Sequence, residues 1–286
     1  MAKVSMKGVI DMHVHTNPDL RIRRYDDFEL CDAAVRVGAR AIVIKTHLGY
    51  TANRAYLVNR YNKIVHGDND FEMFGSVTLN SCIGGVNRIA VENALKLGAK
   101  VVWLPTQSAR RHLEMNKKPT DGCVDVVRDG KVVPELLDVF KLVKDYDAVL
   151  GTAHVSPEDA ITVVEAARTA GVKKLVVTHP EWWLVGMSVE DQIRLVKDYD
   201  VILERCYAQN LGGNKYKSNL QDNLEIIKTV GDKNVMVDTD GGQTENPAWE
   251  LAMEEYMQYL VDNGIPEEHV RYMTHDLPCG LLGIEP

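Results

Sequence analysis

The chain has 286 residues, of which 45% are hydrophobic and 26% charged, and its formal net charge is −8. This composition is typical of a globular protein with a large buried core. Because no basic block or Lys/Arg stripe accompanies the negative charge, we expect no nucleic-acid partner.

Five cysteines are scattered along the chain: Cys31, Cys82, Cys123, Cys206 and Cys279. The odd number and the lack of a CxxC motif argue against a disulfide framework. The first residues lack the apolar core of a signal peptide, and no apolar run reaches the length of a membrane span. We therefore expect a cytoplasmic protein with no membrane partner.

Eight short β-rich runs alternate with amphipathic helical patterns along the chain. These runs begin near Gly8, Arg40, Met73, Lys100, Ala148, Lys174, Val201 and Asn234. Continuous apolar strands that alternate with helices indicate parallel pairing beneath a helical cover. The pattern predicts a single α/β domain over residues 1–286, a closed (β/α)8 TIM barrel. A doubly wound open sheet is the alternative.

The longest connection follows the fourth strand and covers residues 107–150. It contains Asp129-Gly130 between two apolar runs, which is a strong β-hairpin signal. We therefore expect an extended loop between the fourth strand and its helix, carrying a β-hairpin. Because βα loops open on the catalytic face of a barrel, this hairpin is either a lid or a surface hairpin.

Polar residues stand at the predicted strand ends, beginning with His13 and His15 on the first strand. Residues i and i+2 of a strand face the same side, so both imidazoles point to one place, which suits a metal ion. Later strand ends carry Lys45, His47, His154, His179, Glu204, Asp238 and Asp240. Because the carboxyl ends of barrel strands converge, these residues predict a metal-centred active site.

This order of strand-end residues resembles the amidohydrolase superfamily of metal-dependent hydrolases. The resemblance implies a (β/α)8 barrel with one or two divalent metal ions, for which we expect zinc. It implies five ligands in this chain: His13, His15, His154, His179 and Asp240. In such enzymes the last aspartate also takes a proton from the attacking water, and Asp238 is the alternative here. The start of the barrel near residue 8 resembles the compact branches that lack a flanking β-sandwich.

Lys45 is the one inward-facing lysine that the strand pattern predicts. Two-metal members of the superfamily commonly bridge their metals with a carboxylated lysine or a glutamate on a middle strand, and this chain has neither there. We favour a catalytic Lys45 that stays cationic and binds a substrate oxyanion, or that pairs with Asp238 or Asp240. A carboxylated Lys45 that bridges two metals is the other possibility, so the number of metals stays open.

Further polar residues are expected to bind substrate: His47, Asn80, Arg110, Arg111 and Glu204. Adjacent arginines at the mouth of a barrel suit a carboxylate or a phosphate, although a solvated loop pair is the alternative. His47 could instead be a ligand or a packed histidine, and Glu204 could pair with Arg205.

These residues predict a hydrolase in which metal-activated water attacks an amide, lactone or ester bond of a small molecule, which could be anionic. A metal-dependent decarboxylase and a phosphoesterase are the alternative enzymes. A catalytically silent barrel with a structural metal is the alternative from another class. The sequence leaves open whether the chain forms a homo-oligomer.

Overall fold

The computed structural model describes residues 3–286. Its strands are β1 (Ile10–His15), β2 (Ala41–Lys45), β3 (Glu72–Thr78), β4 (Ala99–Trp103), β5 (Val127–Arg128), β6 (Lys131–Val132), β7 (Val149–Gly151), β8 (Lys174–Thr178), β9 (Ile202–Cys206), β10 (Ala208–Gly212), β11 (Lys215–Ser218) and β12 (Val235–Asp238). The helices are α1 (Asp27–Val37), α2 (Ala52–Val65), α3 (Arg88–Lys96), α4 (Arg110–Met115), α5 (Pro134–Asp145), α6 (Pro157–Thr169), α7 (Val189–Tyr199), α8 (Leu220–Val230), α9 (Trp249–Asp262), α10 (Glu267–Arg271) and α11 (Leu277–Leu282).

The main sheet has eight strands in the order β1, β2, β3, β4, β7, β8, β9, β12. Strands β5–β6 and β10–β11 form two small separate hairpins. Apart from these, neighbouring strands of the main sheet are consecutive in the chain. A doubly wound sheet would reverse its strand order at a switch point, so this order identifies a (β/α)8 barrel. Val14 of β1 also bridges Gly241, just after β12, in parallel. The predicted TIM-barrel fold is confirmed.

The chain divides into two compact units. The first comprises the chain up to Lys45 together with Asn53–Gly75 and Arg205–Pro286, and the second comprises Thr46–Ala52 and Ser76–Glu204. The single domain expected from the sequence remains a prediction. No helix within residues 3–286 has the length and apolar character needed to cross a membrane.

Strand β1 is buried along its whole length, and a carboxylate within it fixes the neighbouring β12 end. Asp11 accepts hydrogen bonds from the backbone N–H of His13, from the N–H and hydroxyl of Thr239 and from Trp249 Nε1. Burial raises the pKa of Asp11 to about 6, although these hydrogen bonds act in the opposite direction. Asp11 thus ties the amino-terminal part of β1 to Thr239, directly after β12, and to Trp249 of α9, all in the first unit.

The small hairpins have the turns that their sequences demand. Strands β5 and β6 pair antiparallel and are joined by Asp129 and Gly130, whose φ angles are +52° and +70°. Positive φ at both central positions is typical of the two-residue turns that suit strand twist. A second hairpin, β10–β11, was not predicted, although Gly212 and Gly213 mark its turn. The role of the first hairpin as a lid remains a prediction.

Candidate metal centre

The first unit brings two histidines and an aspartate to one point. His13 and His15 end the buried strand β1, and Asp240 follows β12 in a left-handed conformation, with φ +46°. The Nε2 atoms of both histidines lie 3.2 Å from Asp240 Oδ1. The Asp240 side chain is 20% exposed, whereas the histidines are at most 3% exposed. The group is therefore buried on the histidine side and open to solvent on the carboxylate side.

The donor atoms of this group fit a divalent cation. His13, His15 and Asp240 each offer one ligand atom, and these atoms lie within 4.8 Å of one another. Imidazole nitrogen and carboxylate oxygen are the usual ligands of zinc and related first-row metals, and a catalytic zinc commonly has three protein ligands. The three residues can therefore hold a metal ion while leaving a position for another ligand.

Lys45, at the end of β2, is fully buried beside this group. Its Nζ lies 2.9 Å from His13 Nε2, the same atom that faces Asp240. Burial lowers the pKa of His13 well below its usual value; the positive charge of Lys45 adds to this effect, and Asp240 opposes it. His13 is therefore a neutral imidazole, the form that binds metals. Asp238, the other predicted partner of Lys45, accepts a hydrogen bond from the backbone N–H of Met12.

Three residues around this group were missed from the sequence: Asp19, Arg23 and Gln243. Asp19 Oδ2 lies 3.5 Å from His15 Nδ1 and forms an ion pair with Arg23. Gln243 donates a hydrogen bond to the carbonyl oxygen of Asp240. All three lie in irregular loops, which lack the periodic hydrophobic patterns of helices and strands, so sequence patterns did not indicate their role.

The second unit holds a separate cluster of rings. His154 follows β7 and His179 follows β8, and their ring centroids lie 5.2 Å apart. The ring of Trp182 lies 4.7 Å from that of His154 and 4.9 Å from that of His179. Trp182 therefore packs against both histidine rings.

His112 of α4 belongs to the same cluster and was given no role by the sequence. Its Nδ1 lies 2.9 Å from His154 Nδ1, and the two rings stack with their centroids 5.0 Å apart. Burial lowers the pKa of His112 to about 4, with a further contribution from Lys118. The unprotonated Nδ1 of a neutral His112 can accept a hydrogen bond from the Nδ1–H of His154. The one sequence feature that pointed to a role for His112 was its position directly after Arg110 and Arg111.

His47 and Asn80 are both buried in the second unit and share a partner. His47 Nδ1 lies 2.8 Å from Thr106 Oγ1, and Asn80 donates to the same hydroxyl and to the carbonyl oxygen of His47. The Asn80 side chain also accepts from the backbone N–H of Thr106 and of Ser108. Asn80 therefore ties together the loops that follow β3 and β4, and its role in substrate binding remains a prediction.

The predicted arginine pair is engaged within the protein. Arg110 forms a two-armed ion pair with Asp125, with both N–O distances at 2.9 Å. Arg111 donates to the carbonyl oxygens of Leu184 and Val185. Glu204 is fully buried in β9. A substrate anion would have to compete with these protein acceptors for the two guanidinium groups.

Solved structures with a similar fold include two hydrolases and a decarboxylase. An amidohydrolase from Pseudomonas aeruginosa is 13% identical, with a TM-score of 0.65, over 96% of this chain and 95% of its own. An organophosphorus hydrolase from Deinococcus radiodurans is 12% identical, with a TM-score of 0.62, over 98% and 97%. A 2,6-dihydroxybenzoate decarboxylase from Rhizobium is 11% identical, with a TM-score of 0.56, over 97% and 99%. The chain thus has the fold of the amidohydrolase superfamily, as its strand-end residues predict.

The chain itself belongs to DUF6282, a family of unknown function whose sequence model matches residues 8–204. That match begins just before β1 and ends within β9, so it covers both strand-end histidine groups. A comparison with curated proteins gave no match.

Proposed function

We propose that the chain is a metal-dependent hydrolase that attacks an amide, lactone or ester bond of a small molecule with activated water. The observation that carries this proposal is the shared contact of His13 Nε2 and His15 Nε2 with one oxygen of Asp240, at 3.2 Å each. A bound divalent cation, for which we propose zinc, would lower the pKa of water and polarise the scissile carbonyl.

Asp240 is proposed as the general base. Its carboxylate is partly exposed, so water can reach it, and it lies against two buried imidazoles. A carboxylate in this position accepts the proton of the attacking water and returns it to the leaving group. The hydrogen bond from Gln243 to the Asp240 carbonyl holds the residue in its left-handed conformation during this transfer.

Lys45 is proposed to stay cationic and to bind a developing oxyanion. Its contact with His13 Nε2 at 2.9 Å supports an ammonium group that donates to a neutral imidazole. With a cation held at that nitrogen, Lys45 would donate to a substrate oxygen in place of His13, and this is the role that we propose for it. The alternative, a carboxylated Lys45, would place a negative charge against the same nitrogen.

His154 and His179 are proposed as further ligands, on the strength of the resemblance to the superfamily. Their positions after β7 and β8 support this, since catalytic residues of barrels come from the carboxyl ends of several strands. The ring of Trp182 contacts both imidazoles edge-on, which would restrict their orientation. We propose one or two divalent metal ions for the chain.

A decarboxylase is the second candidate, because the fold is shared with 2,6-dihydroxybenzoate decarboxylase. The buried ammonium of Lys45 also suits a substrate carboxylate. The two candidates differ in what happens to water. A hydrolase incorporates one solvent oxygen into its product, whereas a decarboxylase releases CO₂ from its substrate.

The first experiment is to measure bound metal on the purified chain by inductively coupled plasma mass spectrometry, before and after supplementation with zinc and manganese. We expect one or two ions per chain. The loaded protein is then given ester, lactone, amide, phosphoester and aromatic carboxylate substrates in H₂¹⁸O, with CO₂ recorded in parallel. Isotope in the organic product supports the hydrolase, whereas CO₂ release with an unlabelled organic product supports the decarboxylase. Absence of bound metal after supplementation would contradict both.

A further inference from the structure

Three arginines in the loop after β1 reach the loop after β12, all within the first unit. Arg21 pairs with Glu245, and Arg24 donates to the carbonyl oxygens of Thr244 and Asn246. Both of these side chains are on the surface. Arg23 differs because it is only 4% exposed. A buried guanidinium is costly unless it is fully paired, so its partners indicate what it is for.

One side of the Arg23 guanidinium holds Asp19. The Nε and Nη2 atoms of Arg23 lie 2.7 Å and 2.5 Å from Asp19 Oδ2. The side chain of Asp19 is fully buried, and the same oxygen lies 3.5 Å from His15 Nδ1. A carboxylate beside Nδ1 favours the tautomer with its proton on that nitrogen. The lone pair of His15 is then on Nε2, the atom that faces Asp240.

The other side of Arg23 holds Gln243. Arg23 Nη1 donates to Gln243 Oε1 at 2.9 Å. The amide nitrogen of Gln243 donates to the Asp240 carbonyl oxygen at 2.6 Å and lies 3.3 Å from Asp240 Oδ1. Since Arg23 occupies the amide oxygen of Gln243, the amide nitrogen is directed to Asp240. Arg23 thereby fixes which way this amide points.

We propose that Arg23 is a positioning residue that sets two members of the metal centre at once, His15 through Asp19 and Asp240 through Gln243. This inference rests on the proposed metal site. Outer partners of metal ligands typically change metal affinity 10- to 100-fold when they are removed. Arg23 is unusual in serving a histidine and a carboxylate from one guanidinium, so its loss disturbs both ligands together.

The test compares Arg23→Gln with Arg24→Gln as a matched control. Arg24 ties the same two loops together, but within residues 3–286 its side chain donates to the carbonyl oxygens of Thr244 and Asn246 and not to Asp19 or Gln243. Each protein is stripped of metal, and its affinity for Zn²⁺ is measured by competition with a chelating dye. We expect Arg23→Gln to weaken Zn²⁺ binding about 10- to 100-fold. Arg24→Gln should stay within about threefold of the parent chain. Equal affinities for folded Arg23→Gln and the parent chain would overturn the proposal.

Two further variants separate positioning from folding. Arg23→Gln leaves Asp19 buried without its cation, so it could fail to fold. The double variant Asp19→Asn/Arg23→Gln removes both charges. Gln243→Met removes the hydrogen bonds that connect Arg23 to Asp240 and leaves the pair of Arg23 with Asp19 in place. If either folds as judged by circular dichroism, the proposal requires weaker Zn²⁺ binding and an altered visible spectrum of bound Co²⁺. Parent-like affinity and spectrum in both would overturn it. A parent chain that binds no metal would instead contradict the proposed metal centre.

Discussion

The two histidine groups of the molecule differ in what surrounds them. In the first unit, His13 and His15 lie beside the carboxylate of Asp240, and His13 also lies beside the amino group of Lys45. In the second unit, His154 and His179 face other rings, those of His112 and Trp182. Charged neighbours can move protons and stabilise oxyanions, whereas rings exclude water and fix orientation. The two groups therefore differ in the chemistry that their neighbours can support, and this difference frames the experiments below.

The largest expected effect comes from Asp240→Asn. The amide keeps the shape of the side chain but can neither accept a proton nor offer a negative ligand. We expect activity on the best substrate of the panel to fall about 100- to 10,000-fold, the usual range for losing a general base. Unfolding by urea should be nearly unchanged, because the group is partly exposed. If Asp240→Asn retains full activity, the first group is not the site of proton transfer.

Substitution in the second group tests whether it contributes to metal binding at all. We expect His154→Ala and His179→Ala each to weaken Zn²⁺ binding by more than about tenfold, as loss of a ligand or its orientation does. His66→Ala is the control, since His66 is an exposed histidine that contacts Asp32 at 2.7 Å. Chelator competition measures all three. Parent-like affinity in both test variants would restrict the metal centre to the first unit.

Asp11→Ala addresses stability in the first unit. Asp11 accepts from both the N–H and the hydroxyl of Thr239 and from Trp249 Nε1. Without the carboxylate these buried donors lose their acceptor, at a cost of about 1–3 kcal/mol for each unsatisfied group. We expect the free energy of unfolding to fall by about 3 kcal/mol or more in urea titrations. The exposed Asp70→Ala should change it by less than about 0.5 kcal/mol.

Sequence patterns predicted the parts of this molecule that repeat. The eight strands follow from apolar runs at regular intervals, and each predicted start lies within two residues of an observed one, as at Arg40 for Ala41 and Lys174 for β8. His13 and His15 follow from strand alternation.

The residues that support the site could not be predicted in this way. Arg23 and Gln243 are 220 positions apart and meet through loops that have no period. Their pairing depends on how the loops after β1 and β12 are placed, which is a tertiary property. His112 was also missed, because a histidine beside two arginines is typical of a solvated surface. Its stacking on His154 becomes visible only when α4 is placed.

The smallest expected effect is that of Arg110→Gln, and it separates the two interpretations of the arginine pair. Arg110 is half-exposed and pairs with Asp125. Exposed ion pairs contribute about 0–1 kcal/mol, so stability should change little. If Arg110 serves only to pair with Asp125 and does not bind substrate, KM for anionic substrates stays within about twofold of the parent value and kcat is unchanged. If Arg110 exchanges Asp125 for a substrate carboxylate, KM rises about tenfold or more for anionic substrates and not for neutral ones. Asp125→Asn then gives the opposite result, because it releases the guanidinium and lowers KM for the same anions.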